Sequence, residues 1–464
     1  MPPRNEKGQV KLPGNVVADL LRAGLLVGEE GTDQLRMADR NLPLFLPLLT
    51  SFDVRIVPVS IDTCPVRFCS GILKVASDLP GSEGGMVRSI PAGGQGRTSA
   101  SATISCIGEI AERLSLYSEG KMDARIFIND KYQPVVGLSR VLGFSPAQER
   151  RLALELGAEG GRGQEGAPDW KKMSNRRVAL TRLGGYAHDQ AVAEFPSAGV
   201  LFNEAEWVTG GRMSLASSSG CAVWSDLEGA RERALLELVE RDAVAQAWYN
   251  RLGITLLKGR YLTEILPGYL CSFLSDRARS WSVGIVDTDL DAFVVCAISH
   301  EFDGRRAAFG SSAGWDLAST CESALEEMLQ SEYSLELMEK AYPDAAAPGG
   351  KTGPLPRQLE FARERSILEE MPLKEAPVAP PGDLEKVFTY EALLQGCLDK
   401  GIEIWEFDAT RSDLKIPCIK LLSPDLCGWE PRFGKRRLFE GVVKRGLRAT
   451  PGTEAEFEAR PFPF

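Results

Sequence analysis

Apolar residues near helical spacing at Val16, Val17, Leu20, Leu21, Leu25 and Leu26, after a polar start, predict an amphipathic helix within residues 1–47. Runs rich in Val, Ile and Leu at 54–61 and 71–76, each bounded by turn formers, predict strands. A glycine-rich stretch at 81–96 reads as a loop, and a long helical pattern follows from about 99 to 117. Further along, strands are predicted at 282–287, 292–299 and 403–407, and long helices at 227–249 and 318–338. The segments 157–168 (GAEGGRGQEGAP) and 345–353 read as loops, and PVAPPG at 377–382 breaks any regular element there. Strands and helices alternate, with local hairpins between them. The pattern predicts an α/β fold: a helical and strand segment over 1–60, then one large domain with surface loops over 61–464.

Composition narrows the class. Of 464 residues, 44% are hydrophobic and 25% charged, which is the profile of a globular protein and excludes wholesale disorder. Asp and Glu number 64 against 54 Lys and Arg, a formal charge of −10 that gives no global attraction to nucleic acid or anionic lipid. An anionic ligand must therefore be held by local basic groups or by metal ions. The start has no apolar signal core, and no stretch is long and apolar enough to span a bilayer, so the expected location is cytoplasmic, with no membrane partner. The ten cysteines are scattered without a CxxC pair, which predicts buried thiols. Only two histidines occur, His188 and His300, and neither has metal-ligand spacing.

One pattern occurs twice. SCIGEIAER at 105–113 and RALLELVER at 233–241 share E-x-x-E-R, 128 residues apart. Positions three apart on a helix share a face, about 5–6 Å apart at Cβ, so Glu109 and Glu112 point one way, as do Glu237 and Glu240. Like charges so placed weaken an isolated helix, and these sit among Ile107, Ile110, Leu236 and Val239, which belong in a core. A cation should compensate; arginines 113 and 241 on solvated faces are the simplest candidates. Each copy, however, follows a stretch of small residues, GGQGRTSAS at 93–101 and SSSG at 217–220. Such loops bring backbone N–H groups and a helix N-terminus to phosphates. Facing carboxylates suit Mg²⁺ bound together with phosphate oxygens. The combination points to a nucleoside triphosphate held by metal, without the GxxxxGK[ST] loop and without the kinase motif set. A third helix places Glu327 and Gln330 on one face.

At this point the chain resembles the YcaO family, which uses ATP to activate backbone amides of peptides. The likeness runs from about residue 60 onward and rests on four segments: 94–118, with S-x-x-x-E-x-x-E-R in register; 217–243; 310–331, with A-x-x-E-x-x-Q; and 403–426. It implies that Glu109, Glu112, Glu237 and Glu240 coordinate Mg²⁺. It further implies that Ser105, Arg113, Ser219, Ser225, Arg241 and Gln330 bind the nucleotide. The chain departs from the family's pattern at Ser219 and Ser225, where Asn is frequent, at Trp224, which replaces a small residue, and at Glu332, where Arg often follows the Gln.

The sequence closes Arg460-Pro461-Phe462-Pro463-Phe464. Alternating prolines fix an extended backbone with little entropy left to lose, so such a tail can thread into a site. It resembles a shortened form of the family's proline-rich end, found in the azoline-forming cyclodehydratase branch that includes thiazole/oxazole-modified microcin synthesis. That likeness implies a catalytic role for Pro461, Pro463 and Phe464, with a terminal carboxylate assisting proton transfer. The implied activity is ATP- and Mg²⁺-dependent conversion of Cys, Ser or Thr in a ribosomal precursor peptide to thiazoline or oxazoline. Two other readings stay open: a thioamide-forming enzyme with sulfide as nucleophile, and a non-catalytic scaffold. The resemblance also implies a separate E1-like or other leader-binding partner, for which the chain has little room of its own, and an FMN-dependent azoline dehydrogenase as a companion.

Overall fold

The computed structural model describes residues 11–28, 34–61, 63–77, 86–129, 138–158, 175–184, 192–209, 214–343, 357–375 and 382–464. His188 and most of the predicted loops at 157–168, 345–353 and 377–382 lie outside them. Four helices carry most of the residues that matter to the site or its support: α1 (Gly14–Arg22), α2 (Ser99–Leu116), α3 (Leu227–Tyr249) and α4 (Leu317–Ala341). The chain forms two compact units. The first comprises Met1–Asp62, Arg67–Leu235 and Ile402–Pro424; the second comprises Thr63–Val66, Leu236–Gly401 and Asp425–Phe464.

In the first unit, α1 is shorter than the apolar spacing predicts. Gly24 adopts φ +75°, Leu25 N–H bonds the Leu20 carbonyl and Gly24 N–H bonds that of Leu21, a left-handed cap that ends the helix. Leu25 and Leu26 are buried beyond it. The strands Asp53–Val59, Arg67–Ser77 and Met86–Gly96 form an antiparallel sheet in chain order. The glycine-rich stretch expected as a loop is therefore, from Met86 on, a strand. Its glycines serve close packing: a Cβ on Gly94 would lie 2.2 Å from the Ala102 carbonyl oxygen and 2.4 Å from the Cys106 nitrogen, so α2 rests on the strand backbone. Val16, Leu20, Val54, Leu73, Cys106 and Ile110 share the resulting core.

A second sheet of this unit is antiparallel in the order Phe127–Ile128, Arg176–Arg182, Trp405–Asp408, Cys418–Leu422, Cys221–Val223, with Val192–Pro196 also pairing Arg176–Arg182. The hairpin at 405–422 thus joins strands more than 180 residues earlier in the chain. The second unit holds a five-stranded sheet ordered Ala308–Gly314, Phe293–His300, Ser280–Ile285, Ile254–Leu256, Leu373–Lys374, antiparallel except for the last pair. Every residue of Phe293–His300 is buried, the apolar run Phe293–Ile298 together with the polar Ser299 and His300. Among the described residues no helix is long and apolar enough to cross a membrane.

Candidate functional site

Three N-capped helices carry the acidic positions in the same phase. Thr98, Asp226 and Asp316 accept the backbone N–H three residues on, from Ser101 (3.1 Å), Gly229 (2.8 Å) and Ser319 (2.9 Å). Eleven residues after each cap stands a glutamate, Glu109, Glu237 or Glu327; fourteen after stands Glu112, Glu240 or Gln330. At 3.6 residues per turn these offsets are close to three and four turns, so cap and acids share one stripe of each helix. The two-fold echo in the sequence extends to three copies.

In the first unit, Glu109 is fixed on both oxygens. Oε2 accepts the Gly93 N–H at 2.8 Å, and Oε1 pairs with Arg113, which also donates to the Pro91 carbonyl. Glu112 is half-buried one turn on, and Ser105 is exposed on the same helix. Ser219 lies in a turn held from below: the ammonium of Lys420, 2% exposed, donates to the carbonyls of Ser217 (2.7 Å) and Ser219. Gly220 completes that turn at φ +76°, a conformation natural to glycine. The strand after this turn packs Val223 against the core beneath α2. Ser225 instead donates to the capping Asp226 at 2.9 Å. Trp224 fits because residue 229 is glycine, whose missing Cβ would sit 2.1 Å from the indole; the Arg233 guanidinium stacks on its ring at 3.1 Å.

The second unit assembles a tighter group. Arg241 donates to Glu240 and to Glu237, both at 3.1 Å. Ser311, on the strand Ala308–Gly314, donates its hydroxyl to Glu240 and its N–H to Glu327, both at 2.7 Å. A Cβ on Gly310 would lie 2.2 Å from the Met328 nitrogen, so α4 rests on this strand as α2 rests on its own. Burial and the neighbouring Glu240 push the Glu327 carboxyl up to about 8. For Arg241 burial disfavours the charge, but Glu240, Glu237 and Glu327 outweigh it and raise its pKa. Gln330 is half-buried one turn past Glu327. The departure at Glu332 has a local cause: it is paired with Arg277 and with Arg279 (2.9 Å) and accepts the Ser299 hydroxyl at 3.0 Å.

The tail is packed rather than loose. Phe462 is 4% exposed and lies 4.6 Å from the Trp429 ring centroid, while Phe464 stacks on Phe309 at 5.3 Å. Arg460 fastens it, donating to the Tyr249 carbonyl at 2.5 Å and pairing with Glu370 at 3.2 Å.

Sequence reasoning missed Ser311, Trp429 and Lys420, which carry no local signal, and did not assign Glu327 a ligand role although its spacing from Gln330 was visible. Among the described residues, no three or more His, Cys, Asp or Glu side chains are arranged together to hold a metal ion. The donors nevertheless fit Mg²⁺. They are hard carboxylate oxygens, and three carboxyls around one guanidinium leave Glu327 holding its proton, the excess negative charge that a divalent ion relieves.

The family described as YcaO cyclodehydratase, ATP- and Mg²⁺-binding, matches residues 93–427. No curated protein matches. Among solved structures, a heterocyclase in complex with substrate and cofactor is similar at TM-score 0.66 and 20% identity over 99% of this chain and 58% of that one. The heterocyclase TruD follows at 0.56 and 20%, over 78% and 50%. A YcaO protein from Methanopyrus kandleri bound with AMPPCP and Mg²⁺ gives 0.50 and 16%, over 86% and 90%. The chain thus spans about half the length of either heterocyclase. At these identities the likeness is one of fold.

Proposed function

Starting from the chain's membership of the YcaO cyclodehydratase family, an ATP- and Mg²⁺-binding family, we propose that it is an ATP-dependent peptide cyclodehydratase forming azoline rings in a ribosomally made precursor. The observation that carries this reading is the threefold acidic helix motif, with Ser311 joining Glu240 and Glu327 through hydrogen bonds of 2.7 Å each. Mg²⁺ ions would be held by Glu109 and Glu112 in the first unit and by Glu237, Glu240 and Glu327 in the second. Ser105, Arg113, the Ser217–Gly220 turn and Arg241 would receive phosphate oxygens, and Gln330 and Ser225 complete the set carried over from the family.

When bound, ATP and Mg²⁺ supply a phosphoryl group that turns a poor leaving group, the amide oxygen, into phosphate. The residues contribute position and charge. Arg113 and Arg241, each anchored by its own helix's glutamate, offer guanidinium N–H groups in a fixed orientation toward anionic oxygen. The Ser217–Gly220 turn, with two carbonyls tied down by Lys420, offers a preset backbone. The Cys, Ser or Thr nucleophile comes from the peptide. Pro461, Pro463 and Phe464 belong to the proposal as the part of the site that the tail supplies. A leader-binding partner of E1-like or other type and an FMN-dependent dehydrogenase are proposed companions.

The test is incubation of the chain, partner and precursor peptide with ATP and Mg²⁺, read by mass spectrometry and ADP release. Loss of one water per modified residue is expected. Exchange of oxygen for sulfur would show the thioamide reaction instead, and no peptide-dependent ADP release would leave the scaffold reading.

A further inference from the structure

Arg241 is the cation at the centre of the acidic group of the second unit, yet part of what locates it is not acidic. Its guanidinium carbon lies 3.4 Å above the Trp429 ring. Trp429 in turn has no polar anchor through its side chain: the indole Nε1 is buried without a hydrogen-bond partner. Its ring is therefore held by packing, with the Phe462 ring of the tail 4.6 Å away and the Phe309 ring edge-on at 6.4 Å. Phe464 of the same tail stacks on Phe309 at 5.3 Å with ring planes 20° apart, and Phe309 also meets Phe462 edge-on at 5.4 Å. Phe309 lies two residues before Ser311, the residue that holds both Glu240 and Glu327.

We propose that the aromatic rings of the tail are positioning elements for this acidic group, Phe462 acting on Arg241 through Trp429 and Phe464 acting on Ser311 through Phe309. Stacking of guanidinium on indole is directional. A shift of the Trp429 ring carries Arg241 off Glu237 and Glu240, and a shift of Phe309 carries the strand that bonds Glu240 and Glu327. This role belongs to the side chains of residues 462 and 464, distinct from any carboxylate chemistry. The prolines at 461 and 463 hold those side chains on an extended backbone, and Arg460 fixes the tail's entry.

The inference rests on the metal-binding reading above, and two measurements separate them. The first is Mn²⁺ affinity with AMPPCP, followed by the electron paramagnetic resonance of the unbound ion. Phe462→Ala and Trp429→Leu are expected to weaken Mn²⁺ about tenfold or more, the size of effect seen when a group orienting a ligand is lost, while Trp429→Phe keeps most of the affinity. Leu393→Ala is the control. That side chain is fully buried in the same unit on the helix Tyr390–Asp399, so its loss tests general destabilisation of the unit. The second measurement needs no metal: a urea-unfolding cycle over Phe462→Ala and Arg241→Met, repeated with Trp429→Leu in place, because Phe462 also meets Phe309 at 5.4 Å and the coupling that passes through the indole is the part that Trp429→Leu abolishes. The double variant's unfolding constant should depart from the product of the single effects by about threefold or more. Unchanged Mn²⁺ affinity in Phe462→Ala, equal weakening in Leu393→Ala, or a cycle that is simply additive would overturn the inference. A wild-type chain that binds no Mn²⁺ refutes the metal reading instead, and the cycle then decides the packing claim alone.

Discussion

Glu327 shows how one side chain's environment becomes a measurable property of the protein. Its folded-state carboxyl, pushed up to about 8, holds a proton through the window in which the unfolded chain, near 4.5, has already lost it. The folded state binds more protons there, so stability falls as pH rises from about 4.5 to about 8. Calorimetry of the metal-free protein should show the melting temperature dropping across that window, with Glu327→Gln flattening the drop and Mg²⁺ opposing it. A slope unchanged by Glu327→Gln would contradict the assignment. The same scale marks a limit of sequence reading. Arg113 and Arg241 were visible as the partners of Glu109 and Glu237 from helical spacing alone. Ser311 and Lys420 were not, because each meets its partners across a strand or sheet, and no local pattern encodes that.

Among elements, the strand that turns into a capped helix is the repeated device, and glycine decides how closely the two pack. A methyl group at Gly94 or Gly310 would strike helix backbone at about 2.2 Å, which no rotamer change relieves. Gly94→Ala and Gly310→Ala should each lose roughly 1–3 kcal/mol or more in urea unfolding. Gly108→Ala, inside α2 where the nearest atom is 3.9 Å away, should gain about 0.5–1 kcal/mol. Removing a cap with Thr98→Ala should cost about 1 kcal/mol in the same measurement. Glycine density at 81–96 reads as a loop because composition reports backbone freedom; only a neighbouring helix shows that the glycines from Met86 onward serve contact in a strand.

For the whole molecule, the chain matches the family model over most of its length yet spans only 58% and 50% of the two heterocyclases it resembles. On the proposed reading, peptide-dependent ADP release should be slow with the chain alone and rise when a leader-binding partner is added, with the gain appearing mainly as a lower KM for the precursor. Equal rates with and without any partner would remove that companion from the proposal. The amino-acid order by itself determined the helices at 99–116, 227–249 and 317–341, their acidic faces and the α/β character, since periodicity and capping act within one turn or one strand. Tertiary structure alone decided that Trp405–Asp408 joins the strand Arg176–Arg182 from the first half of the chain, that Ser311 bridges two glutamates, and that the tail's rings pack against Trp429 and Phe309. Those contacts close long loops, and which distant residues repay that entropy depends on shape and burial that no local window contains.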